Sequence, residues 1–328
     1  MYKETAKEVL DFIQKSPSCF HAIQEIGRQL RENGFEELRE TDRWSIKKGG
    51  SYFTTRNGSS LIAFRVGKTL DDYHFQVTSS HCDSPTFKVK EKAELKGKGG
   101  YLQLNTEGYG GMILSSWFDR PLSLAGRVLV REGNTVTSRL VAFDRDLLII
   151  PNVAIHMNRS VNDGFAFNKQ VDMLPLFSAG ECGEDSYREL IAHELGVDPQ
   201  SILGMDMYLY NRTAPSIWGA KEEFISSPKL DDLQCACTSL KAMIQAENDR
   251  CVTVYACFDN EEVGSGTKQG ACSTFLRDVL QRINDGLGFD GEDYRRAVAG
   301  SFMVSCDNAH AVHPNHPEKT DAENCTWM

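Results

Sequence analysis

No apolar run in this sequence is long enough to cross a bilayer, so a membrane span is not expected. The N-terminal stretch from Met1 to Leu10 mixes Lys3, Glu4, Lys7 and Glu8 with few apolar residues and so lacks the apolar centre of a signal peptide. Basic residues are the minority charge: 36 Lys and Arg face 46 Asp and Glu, a formal net charge of -10. Such a field repels nucleic-acid phosphates and acidic lipid surfaces, so neither a nucleic-acid nor a membrane partner is expected. The 10 cysteines show neither CxxC spacing nor the density of a secreted disulfide scaffold, which points to reduced thiols in a cytoplasm.

What is present is the material of a folded protein of enzyme size. The chain has 328 residues, 41% of them hydrophobic and 25% charged, enough for two domains or for one domain with a large insertion. Apolar residues recur at helical spacing from Ala6 to Ile13 and from Phe20 to Leu30. From Ser51 the period shortens to strand-like runs, Tyr52 to Thr54, Leu61 to Val66 and Tyr73 to Thr78, with Asn57-Gly58 as a turn between them. Between about Leu95 and Ala220 glycine clusters and short apolar runs read as a mainly β insertion. Beyond it helix and strand patterns alternate: helix over Leu230 to Asn248, strand over Cys251 to Phe258, helix over Gly270 to Leu287 and strand over Ala297 to Ser305. That alternation predicts an α/β fold with a mostly parallel central sheet covered by helices.

Three polar clusters follow apolar strands directly, and the carboxyl ends of strands are where open α/β sheets bind ligands. In His81-Cys82-Asp83, strand alternation puts the imidazole and the carboxylate on one side, an arrangement suited to a metal-bound imidazole held by an acid. Taken alone, it reads better as a hydrogen-bonded histidine at a strand end. Asp259-Asn260-Glu261-Glu262 runs into the glycine-rich turn Val263 to Gly266, where one glutamate can bind metal and its neighbour accept a proton. Asp307 precedes a loop holding His310, His313 and His316, and spacing alone does not choose among those imidazoles. A fourth element, Ser226-Ser227-Pro228-Lys229-Leu230-Asp231-Asp232-Leu233, reads by itself as a helix start with an aspartate cap.

In chain order SSHCDSP, SPKLDDL, FDNEEVGS and SCDNAHAVHPN resemble the metal-site motifs of the aspartyl aminopeptidase family, cocatalytic dinuclear zinc peptidases. Asn105-Thr106 with Gly110-Gly111, Ser116 to Arg120 and Ile150 to His156 are also similar to family sequences, and the likeness runs to about Asp321. The resemblance implies a fold of the zinc exopeptidase type, with residues 1–94 and 221–328 as the catalytic domain and 95–220 as an inserted oligomerisation domain. It implies two Zn2+ ions per subunit, Asp231 bridging them, with His81 and Asp307 completing one site and Glu262 belonging to the other. Glu261 would be the general base, Asp83 would orient His81, and His156 would reach the active site of a neighbouring subunit in a homo-oligomer. Peptides would be the substrate, with N-terminal Asp or Glu as the family preference.

Two departures from the family pattern are visible. Asp232 stands where the family more often has Asn, which bears on local hydrogen bonding. Family members also continue past the HPN segment and supply a final histidine to the second zinc, whereas this sequence ends at Glu323 to Met328. The chain is therefore expected to be C-terminally shortened, with a weak second metal site and an exposed sheet edge, and His310, His313 and His316, which closely follow a ligand of the first site, are not expected to replace the missing ligand. Two alternatives follow: a weakly active or inactive fragment that contributes only oligomer contacts, and a dinuclear aminopeptidase of broad specificity.

Overall fold

The computed structural model describes residues 2–327. Helices α1 (Tyr2–Gln14) and α2 (Cys19–Glu32) come first, each with one apolar face buried and the other charged. Strands β1 (Glu36–Glu37), β2 (Ser51–Arg56), β3 (Ser60–Val66) and β4 (Phe75–His81) follow. The chain then leaves for a second sheet through β5 (Thr86–Lys96), β6 (Leu102–Tyr109), β7 (Leu122–Glu132), β8 (Thr135–Ala142), β9 (Leu176–Ser178), helix α3 (Ser186–Leu195) and β10 (Ile202–Asn211). A small hairpin, β11 (Ser216–Trp218) and β12 (Phe224–Ser226), leads back. The return consists of α4 (Leu230–Gln245), β13 (Val252–Phe258), α5 (Phe275–Gly286), α6 (Gly291–Ala299) and β14 (Phe302–Ser305).

The first sheet has the order β1-β2-β3-β13-β4-β14. β1 and β2, β13 and β4, and β14 and β4 run parallel, while β2–β3 and β3–β13 are antiparallel. Its central strands are buried on both faces, which is why they read as unbroken apolar runs. In β3 and β13, Leu61, Ala63, Tyr255 and Cys257 pack toward α1, α2 and α4, whereas Ile62, Phe64, Val254 and Ala256 pack toward α5 and α6. The two cores lie either side of one sheet, as a three-layer α/β fold requires.

The second sheet, ordered β8-β7-β10-β5-β6-β9, is antiparallel throughout and carries its own core of Phe87, Leu104, Leu124, Val128 and Met207, closed by Tyr187 and Ile191 of α3. The strand expected over Ala297 to Ser305 is shorter than the apolar pattern implied. Residues through Ala299 belong to α6, whose start is fixed by a capping box between Asp290 and Asp293, and only Phe302–Ser305 pair with β4. Along β14, Phe302, Met303 and Val304 remain 70%, 47% and 46% exposed, so the sheet edge is apolar and open. Among the described residues, no helix is long and apolar enough to cross a membrane.

Candidate metal centre

The parallel register of β4, β13 and β14 carries the polar clusters to one place. Phe258 lies opposite His81, and Ser305 opposite Ser79, so the segments starting at Asp259 and Cys306 leave the sheet beside His81. Two backbone bonds continue the pairing past the strand ends, Cys82 N–H to the Phe258 carbonyl at 2.9 Å and Cys306 N–H to the Ser79 carbonyl at 2.8 Å.

Asp231 arrives from a distant stretch. It stands at the start of α4 with non-helical backbone angles, and the peptide to Asp232 is cis. Its carboxylate lies 3.5 Å from His81 Nε2, so it faces the cluster. Asp307 Oδ1 lies 3.9 Å from the same nitrogen, and its loop is tied to α4 by the Asn308 amide donating to the Leu230 carbonyl at 2.6 Å. Glu261 Oε2 is also 3.9 Å from His81 Nε2. His81, Asp231, Asp232 and Asp307 each present a ligand atom within 4.8 Å of the others.

Asp232 takes a place that spacing alone did not give it. It is fully buried, accepts the backbone N–H of His81 at 2.9 Å on one oxygen, and has the Cys235 thiol beside it. A capping aspartate and this one look alike in sequence, since both stand at the start of a helix. Cys82, which separates His81 from Asp83, turns the other way into the core, where its thiol donates to the Ser59 carbonyl.

Asp83 is buried and its Oδ1 lies 3.3 Å from His81 Nδ1. It also accepts the backbone N–H groups of Glu261 and Glu262, both at 3.2 Å. Burial pushes the His81 imidazole toward its neutral form, but the hydrogen bond to Asp83 and the surrounding charges of Asp83, Asp232 and Glu261 outweigh it and raise the pKa to about 10. Burial and then the charge of Asp83 raise Glu262 to about 7, and burial with the charge of Asp307 raises Asp231. One imidazole among carboxylates that repel one another is a donor set suited to zinc, whose charge would relieve that repulsion.

The remaining histidines lie elsewhere. His310, His313 and His316 are exposed; the rings of the last two are tilted against each other with centroids 5.3 Å apart, and His316 Nδ1 lies 3.1 Å from Glu318. His156 is exposed, in a turn closed by the Met157 N–H on the Ala154 carbonyl. Beside the cluster runs a cleft of about 620 Å³ whose walls include Asp83, Asp231 and Glu262 together with Trp117, Arg120, Tyr208 and Lys229.

The family model for the aminopeptidase I zinc metalloproteases (M18) matches residues 12–328. The chain belongs to that family. It is 48% identical over 324 residues to a probable M18 family aminopeptidase 2 of Clostridium acetobutylicum, covering 97% of this chain and 75% of the relative. The corresponding protein of Pseudomonas aeruginosa strain PAO1 is 39% identical over 329 residues, with 98% and 75% covered. Among solved structures, Chaetomium thermophilum mApe1 superposes with a TM-score of 0.89 at 30% identity over 96% of this chain and 77% of that one. The structure described as the Ape4 and Nbr1 complex superposes with a TM-score of 0.94 at 37% identity, covering 99% and 67%. Membership makes the chain a metalloaminopeptidase by class, with zinc as the family's metal, and the α/β fold with a large mainly β part agrees with these structures.

Proposed function

We propose that this chain removes N-terminal residues from peptides by zinc-assisted hydrolysis, with a preference for Asp or Glu at that end. The observation that carries this reading is the meeting of His81, Asp231, Asp307 and Glu261 beside a peptide-sized cleft. His81, Asp231 and Asp307 would hold one zinc, and Asp231 with Glu262 a second. Two protein ligands are fewer than the three usual for catalytic zinc, so the second position is the weaker. Zinc, when bound, polarises the scissile carbonyl and acidifies water.

The protein's own groups then divide the work. Glu261, with about half of its side chain exposed and its Oε2 close to His81, takes a proton from the attacking water. It returns that proton to the leaving amine as the C–N bond breaks. Asp83 holds the His81 ring through Nδ1, leaving Nε2 to face the carboxylates.

His156, exposed in its loop, would serve the site of a neighbouring subunit in a homo-oligomer built through the insertion expected over 95–220, whose sheet starts earlier, at β5 (Thr86–Lys96). One structural neighbour, mApe1 of Saccharomyces, is described as a dodecamer, which supports an assembled state. A cytoplasmic setting suits the ten unpaired cysteines. The test is Glu261→Gln in the full chain, assayed on substrates with N-terminal Asp, Glu, Ala and Leu. Turnover should fall by roughly 10²–10⁴ with zinc content unchanged. Normal turnover by this variant defeats the mechanism, and equal turnover of all four substrates by the wild type defeats the acidic preference.

A further inference from the structure

Asp83 is engaged by more groups than the steering of one imidazole requires. Its Oδ1 accepts the Glu261 N–H at 3.2 Å and lies 3.3 Å from His81 Nδ1, which also meets the Asp83 backbone carbonyl at 3.1 Å, while Oδ2 accepts the Glu262 N–H at 3.2 Å and the Tyr109 hydroxyl at 2.6 Å. Tyr109 is the last residue of β6 and so belongs to the second sheet, whereas His81, Asp83 and the glutamate pair belong to the first. Its ring is seated edge-on against Tyr208 of β10 with centroids 5.6 Å apart, so the hydroxyl is presented by the packing of the second sheet.

The bond has a direction, and the neighbours set it. The Asn260 side-chain NH2 donates to the Tyr109 oxygen at 2.9 Å, and Asn260 Oδ1 in turn accepts from Gln269 Nε2 at 2.8 Å and Thr267 Oγ1 at 2.7 Å. With a donor already on its oxygen, the phenol has its single proton left for Asp83. An O–H to carboxylate bond of this length is among the stronger neutral-to-charged hydrogen bonds. Asp83 is 3% exposed, so such donors are what its charge requires in place of water.

We propose that Tyr109 and Asn260 are positioning residues of the metal centre, acting through Asp83 so that the second sheet sets how tightly His81 holds zinc. This rests on the assignment of His81 as a ligand. A ligating imidazole needs its far nitrogen fixed by an acceptor, and that acceptor is held in turn by outer donors whose loss typically costs 10–100-fold in metal affinity. Here one of those outer donors, the Tyr109 hydroxyl, comes from a different sheet, so a shift of β6 relative to β4 is felt at the imidazole.

The experiment is zinc affinity, measured on the metal-stripped full chain by competition with a chromogenic chelator. Tyr109→Phe keeps the ring and deletes only the hydroxyl; Asn260→Gly deletes the amide and suits the positive φ of 64° at that position. Both are expected to weaken zinc binding, Tyr109→Phe by about 10–100-fold, and the double variant to be no weaker than Tyr109→Phe alone because the amide acts through the phenol. In a His81→Ala background Tyr109→Phe should change zinc affinity no further, an outcome that a packing role alone would not produce. Unchanged affinity in folded Tyr109→Phe, or in Asn260→Gly should the former not fold, overturns the proposal, as do additive losses in the double variant. If His81→Ala itself binds zinc like the wild type, the ligand assignment falls and this proposal with it.

Discussion

The carboxylate of Asp232 receives the backbone N–H of His81 at 2.9 Å, joining the start of α4 to the end of β4 where the metal ligands meet. Asp232 is fully buried, so removing its oxygens leaves an N–H with neither water nor protein to accept it. Asp232→Ala should cost about 1–3 kcal/mol of stability. Asp232→Asn keeps an acceptor and removes a desolvated acid, and should be at least as stable as the wild type. Urea midpoints of the metal-free chain decide it: equal midpoints for the alanine and asparagine variants would mean the bond contributes nothing.

How much of this arrangement shows in the sequence depends on where each contact originates. His81, Asp259 and Asp307 follow short apolar runs that read as strands, so their place at the sheet's carboxyl edge is legible from pattern, although the run before Asp307 forms an exposed edge strand. The convergence of Asp231 is not, because the distance from β4 is bridged by a whole second sheet; only the resemblance of the ordered motifs pointed to it. Tyr109 left no signal of its own, since its partner Asp83 lies on another sheet. The polar run Glu292 to Arg296 hid α6 from an apolar-period reading, although the Asp290 and Asp293 pair was a visible start signal.

His21 gives a prediction in pH. Its Nδ1 pairs with the Ser18 hydroxyl at 2.8 Å, and burial, helped by the Lys229 charge, lowers its pKa from 6.5 to about 4. Between those values the unfolded chain binds a proton that the fold excludes, so stability is intact above pH 6.5 and lost as pH falls toward 4. A shift of this size is about 3 kcal/mol at most, and partial exposure reduces it to about 1–2 kcal/mol. His21→Gln should lessen the loss between pH 7 and pH 4.5 by that amount, read as the difference in urea midpoints. An identical acid slope for both proteins would exclude the idea.

The open edge at β14 should govern solution behaviour. Phe302, Met303 and Val304 present apolar side chains beside unpaired backbone, the combination that recruits another strand. Phe302→Lys with Val304→Lys should reduce binding of a hydrophobic dye and self-association in sedimentation, while changing stability by no more than about 0.5 kcal/mol per site. Dye binding that stays at the wild-type level would place the sticky surface elsewhere.

Gly110 tests how closely β6 must approach the glutamates. Its φ is +75°, and a Cβ there would sit 3.0 Å from both Cβ and Oε2 of Glu262. Gly110→Ala therefore meets a backbone penalty of about 1–2 kcal/mol together with a neighbour that must move aside. Because that neighbour is the carboxylate assigned to the weaker metal position, the damage should appear in function beyond what the lost stability explains: turnover on N-terminal Asp substrates falls, and more added zinc is needed to restore it. Gly58, at a φ of +68° with nothing within 4 Å of its would-be Cβ, is the control. Gly58→Ala should incur a similar backbone cost and keep its zinc requirement. If the two alanine variants behave alike, contact with Glu262 has no part in the effect, and backbone strain alone accounts for the loss.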